Sequence, residues 1–149
     1  MRAVWVLGQL VLATLALIAM MSGIVAAQGA GRAGNAAFVL GADLMRAQDY
    51  SGALREFNKA INDGFNKPNV FFKRGLVQVI LGRGSKAIAD FTSVLELDAD
   101  DTSALRYRGE QYAKEGQLDE AVEDFTRLVS TTSTDNDAEL LAAASKVKY

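Results

Sequence analysis

The chain has 149 residues, half of them apolar, and a formal net charge of −2, so it has room for one modest core and lacks the broad positive field that nucleic-acid binding needs. It contains no cysteine and no histidine, which removes disulfides, thiol nucleophiles, imidazole bases and the usual zinc ligands together. No serine or carboxylate pair stands in a catalytic pattern, so the sequence reads as non-enzymatic, with no cofactor, no metal and no nucleic-acid partner.

Between Arg2 and Arg32 there is no charged side chain, and residues 3–27 are apolar apart from Gln9, Thr14 and Ser22. A basic residue before such a run keeps the N-terminus cytoplasmic and sends the rest of the chain across the membrane. One reading is a signal peptide over 1–27, cleaved after Ala27, with the small residues Val25 and Ala27 spaced as a cleavage enzyme prefers. The other is a permanent membrane anchor, because about 25 apolar residues suffice to cross a hydrocarbon core of roughly 30 Å. Contact with the membrane is then confined to residues 3–27, if they are retained. Residues 28–33 read as a flexible linker with nothing to pack.

From residue 34 the chain repeats itself. Gly41, Gly75 and Gly109 stand 34 residues apart, and Ala53, Ala87, Ala121 and Phe57, Phe91, Phe125 keep the same step. This divides the sequence into units 34–67, 68–101 and 102–135 without insertions, each predicted to be two helices joined by a turn. On the first helix of each unit the core-facing strip reads Ala37, Leu40, Gly41, Leu44; then Phe71, Arg74, Gly75, Gln78; then Leu105, Arg108, Gly109, Tyr112. On the second it reads Ala53, Phe57, Ala60, Ile61; then Ala87, Phe91, Val94, Leu95; then Ala121, Phe125, Leu128, Val129. A glycine or alanine opposite a phenylalanine lets two helices approach closely while the ring fills the gap. Gly64 suits a left-handed helix end and Pro68 a helix start. Residues 98–103 (DADDTS) supply helix N-caps; a calcium loop counted from Asp98 fails, because Ser103 and Gly109 hold the places that need glycine and glutamate. Residues 136–149, with acidic residues first and lysines last, are predicted to form a C-terminal capping helix.

These residues resemble the tetratricopeptide-repeat (TPR) family, most clearly in the third unit, where Gly109, Tyr112, Gly116, Leu118, Ala121 and Phe125 fall in GEQYAKEGQLDEAVEDF. Phe65, Ala99 and Ser133 depart from the family's proline, and Gln78 and Gly84 from two of its large residues, which suggests a looser middle unit. The resemblance implies an all-α right-handed superhelix of three αα-hairpins, with Gly41, Ala53, Phe57, Gly75, Ala87, Phe91, Gly109, Tyr112, Ala121 and Phe125 as its packing residues. The resemblance also implies a protein that binds a protein or peptide partner in a concave groove, and family habit together with the N-terminal export segment implies a small bacterial protein, periplasmic or anchored to the cytoplasmic membrane facing the periplasm. The groove strip comprises Phe38, Met45, Phe72, Leu76, Val79, Ile80, Arg106 and Lys114. Family members that clamp a chaperone's terminal carboxylate use lysine and asparagine where this chain has Phe38 and Ala42, which argues against that client. The alternatives are that the tether, the last helix or a second copy covers the groove, or that the chain is an anchored accessory or assembly subunit of a membrane complex. Acidic residues crowd the third unit (Glu115, Asp119, Glu120, Glu123, Asp124) and basic ones the second (Lys67, Lys73, Arg74, Arg83, Lys86). They read as solvated faces and inter-unit pairs, with head-to-tail self-association as the sharper reading.

Overall fold

Residues 31–132 are described by the computed structural model, and among them there are six α-helices and no strand. In chain order these are α1 (31–46), α2 (Tyr50–Asn62), α3 (Pro68–Ile80), α4 (Gly84–Leu97), α5 (Thr102–Lys114) and α6 (Leu118–Thr132). The boundaries follow from local chemistry. Asp49 caps α2 by accepting from the Gly52 N–H at 2.8 Å, and Asp101 caps α5 by accepting from the Ala104 N–H at 2.8 Å. Pro68 opens α3, where its missing N–H costs nothing. The turns inside the three pairs share one design. Gln48, Gly82 and Gly116, spaced by the repeat, take positive φ of 63°, 68° and 78°. The next residue's N–H then reaches back to Leu44, Gln78 or Tyr112 O at 2.9 Å, which satisfies a helix-end carbonyl.

Each pair closes on a glycine. A Cβ added at Gly41 would stand 2.7 Å from Phe57 Cε1, at Gly75 2.8 Å from Phe91 Cε1 and at Gly109 3.0 Å from Phe125 Cε1, so the ring occupies the space a side chain would need. Phe57 and Phe91 are fully buried, whereas Phe125 is half-buried. Ala53, Ala87 and Ala121 are buried beside these rings. One core cluster gathers Phe57, Phe65, Val70 and Val77, and a second gathers Phe91, Val94, Leu95 and Leu105. Val70 and Ala104 stand at the same place in α3 and α5 and are completely buried, although the first-helix strip read from the sequence omits both.

The interior of the stack also holds ions. Arg74 donates to Asp90 from Nε at 3.0 and 3.1 Å and from Nη2 at 2.5 Å, while its Nη1 donates to Asn58 Oδ1 at 2.8 Å. Arg108 repeats this one unit later, with Nε to Asp124 at 2.8 Å, Nη2 to Asp124 at 2.6 Å and Nη1 to Thr92 Oγ1 at 3.1 Å. Each guanidinium therefore ties its own hairpin together and also ties it to the preceding pair. Burial pushes the Asp90 carboxyl above the usual carboxylate range, against the pull of Arg74. The hydrogen bond to Asp124 raises Arg108 above its ordinary value. Asp124, read from the sequence as part of a solvated acidic face, is 1% exposed.

Two expectations need correction. Residues 31–33, assigned to a linker, are helical, and Arg32 and Ala33 after the single glycine are good helix formers. Leu40 and Val129, placed on core-facing strips, are 48% and 45% exposed. Leu40 holds the slot from which Arg74 and Arg108 reach back to a preceding helix, and among the described residues none precedes α1. Val129 holds on α6 the place at which Leu95 of α4 is covered by α5, and Val122 of the same helix is also exposed. The apolar segment 3–27 and the capping segment 136–149 lie outside the described residues. Among those described, no helix is long and apolar enough to cross a membrane.

Candidate functional site

The first helices of the pairs carry two opposite faces, because residues two apart on a helix point about 200° apart. On α3, Arg74 and Gln78 turn toward α2 and α4. Phe72 and Leu76 turn the other way, where with Pro68, Asn69 and Lys73, and with Asp101 and Ser103 from the start of α5, they line a cleft of about 290 Å³. Asn69, Phe72, Lys73 and Leu76 follow the i, i+3, i+4, i+7 spacing of a single helical stripe. The floor is apolar. The rim carries a cation, a carboxylate, an amide and a hydroxyl, the arrangement that receives one apolar side chain and hydrogen-bonds the polypeptide around it.

The groove residues read from the sequence divide into three groups. Phe72, Leu76 and Val79 are half-buried and pack against the second core cluster, so they are both wall and support. The Phe72 ring lies 5.7 Å from both the Phe91 and Tyr107 rings, which fixes its orientation. Phe38 and Met45 give themselves to the first cluster, and Phe38 stacks on Phe65 at 5.1 Å. Phe65 occupies the family's proline slot and is buried, so an aromatic there fills the first pair's portion of the strip from inside. Ile80, Arg106 and Lys114 are exposed. Arg106 pairs with Glu110 at 3.2 Å and lies 4.2 Å over the Tyr107 ring, which sets its guanidinium beside the aromatic wall. Lys73 was missed as a groove residue because it was read by sign and crowding, although the stripe spacing on α3 was its signal, and Asp101 because it was read only as a helix cap.

No family model matches the chain. DnaJ homolog subfamily C member 3 from Bos taurus is 32% identical over 98 residues, and its Homo sapiens counterpart 31%, in each case over 66% of this chain. The matched stretch spans 19% of the length of those relatives. Among solved structures, YrrB, described as a TPR protein with an unusual peptide-binding site, aligns with a TM-score of 0.64 at 29% identity, over 67% of this chain and 52% of that one. The second TPR of Spaghetti (RPAP3), bound to an HSP90 peptide, aligns with a TM-score of 0.65 at 20% identity, over 71% of this chain and 97% of that one. MamA aligns with a TM-score of 0.64 at 22% identity, over 78% of this chain and 62% of that one. The helix pairs of this chain therefore have the tetratricopeptide-like fold.

Proposed function

We propose that the protein is a non-enzymatic adaptor built from three tetratricopeptide repeats, exported by its N-terminal segment, which takes an apolar side chain of a partner's peptide or helix in the Phe72–Leu76 cleft. The observation that carries this is the cleft itself: an apolar floor held rigid by core rings, with Asn69, Lys73, Asp101 and Ser103 around it. Peptide binding in YrrB and RPAP3, proteins of the same fold, supports the class of ligand. With half-buried Phe38 stacked on Phe65, the binding strip is centred on the second and third repeats, where Ile80, Arg106 and Lys114 extend it.

A photo-crosslinker placed at Lys73, on the rim, should capture a discrete protein in cells, and Leu76→Glu in the same chain should abolish the product. A crosslinker at Glu96, exposed on α4, is the control. An unchanged product with Leu76→Glu would dismiss the cleft as the binding site.

The second reading, an accessory subunit anchored beside a membrane complex, is favoured by the length of the apolar run 3–27. Intact mass of the native protein decides between them. A chain beginning at Gln28 is expected of an exported soluble adaptor, and a chain retaining the first 27 residues of the anchored subunit.

A further inference from the structure

On the opposite side of α3 from the Phe72–Leu76 cleft lies a second cavity, of about 420 Å³, at the junction of α2, α3 and α4. Its charged lining is Arg74, Arg83, Lys86 and Asp90, three cations against one carboxylate, an excess of two positive charges in a chain whose net charge is negative. Asp90 is already held by Arg74. Among the described residues neither Arg83 nor Lys86 has a carboxylate within ion-pairing distance. One repeat later the equivalent places are Gln117 and Glu120, so the basic wall belongs to this junction and not to the repeat design.

The cavity has a physical origin. Gln78 stands where the third repeat has Tyr112, and an amide is too small to fill the space of a phenol ring. Gln78 is 7% exposed, lines the cavity, and its Oε1 has no hydrogen-bond partner among the described residues. A buried acceptor without a donor is costly, and this one is sealed beneath the basic lining.

We infer that this cleft is a second binding site, which takes an acidic residue of an extended partner segment, its carboxylate on Arg83 and Lys86. A cleft with two surplus cations between low-dielectric walls draws anions. This site is independent of the Phe72–Leu76 cleft, and its occupant is recognised by charge where the other is recognised by an apolar side chain.

The test uses the full-length protein and a fluorescent peptide of alternating Glu and Gly with blocked ends, with the Gln/Gly peptide as control, followed by anisotropy. The acidic peptide should bind at low ionic strength and weaken as salt rises, and the control should not bind. Arg83→Gln with Lys86→Gln, both exposed positions, should weaken binding roughly tenfold or more. Gln78→Tyr, which puts in the gap the ring that Tyr112 carries one repeat later, should block binding while the thermal midpoint holds or rises. Crosslinking from Lys73 should be unchanged in the Arg83/Lys86 variant, so failure here is distinct from failure of the groove. Undiminished binding to the Arg83/Lys86 variant, absence of binding at low salt, or competition by inorganic phosphate as strong as by the acidic peptide would each overturn the assignment.

Discussion

Replacing Arg74 with methionine should cost about 3 kcal/mol of stability at neutral pH, a large share of the total for a domain of this size. The reason is what remains. Asp90 is 3% exposed and takes all its side-chain hydrogen bonds from Arg74, so the variant leaves a buried carboxylate without a counter-charge or a donor. Asn58 Oδ1 also loses its donor, which loosens the first pair from the second. Replacing both partners, Arg74→Met with Asp90→Leu, should recover most of the loss, since the two costs share one origin. The pH dependence has a defined sign. Burial already holds the folded Asp90 carboxyl above its ordinary value, and without Arg74 it rises further. Between the unfolded value, about 3.9, and the higher folded value, the folded chain binds the extra proton, so stability falls as pH rises through that window. The deficit of Arg74→Met relative to the parent should therefore shrink on acidification toward about pH 4. Urea unfolding followed by circular dichroism at a series of pH values measures it, and a deficit independent of pH would show that Asp90 does not carry the cost.

The same pair shows where the sequence was legible and where it was not. The step of 34 in Gly41, Gly75 and Gly109, and in Phe57, Phe91 and Phe125, is readable because a small slot facing a ring leaves few choices of residue. Aspartate is ordinarily a surface residue, so Asp124 reads as part of a solvated face, although the helical strip already turns Arg74 and Arg108 toward the core. Their burial was nonetheless written in the spacing: Arg74 and Asp90, like Arg108 and Asp124, are 16 residues apart, and Asn58 and Thr92 lie 16 before each arginine. The groove was half legible. The strip that contains Phe72 and Leu76 follows from helical geometry, but the fate of Phe38 depended on Phe65, whose departure from proline carries no sign of which ring it meets until the α2–α3 turn is folded. The gap at Gln78 was visible only as a missing aromatic, because the sequence does not say whether neighbours close over it.

Phe91→Ala should be the most damaging substitution of a single apolar residue in the stack, at roughly 3 to 5 kcal/mol, and clearly worse than Phe125→Ala. The three phenylalanines hold the same slot but not the same surroundings. Phe91 is fully buried, with its ring against Gly75 on one side and 5.7 Å from both Phe72 and Tyr107 on the other, so its loss opens a cavity that borders the α3–α4 hairpin, the α5 contact and the groove wall. Phe125 is half-buried on the last described helix, where part of its surface is already in water and less transfer energy is at stake. The complementary change at the same contact is Gly75→Ala. It gains helix propensity of about 1 kcal/mol but brings a methyl to 2.8 Å of a ring that cannot move, and overpacking of that kind costs about 1 to 3 kcal/mol. The net should be destabilising by about 1 kcal/mol. Combining Gly75→Ala with Phe91→Leu should relieve the clash and cost less than the sum of the two single changes, because the smaller side chain vacates the space the methyl enters. Thermal unfolding of the four variants and the double would measure this ordering, and equal losses for Phe91→Ala and Phe125→Ala would mean that α6 is as deeply enclosed as α4.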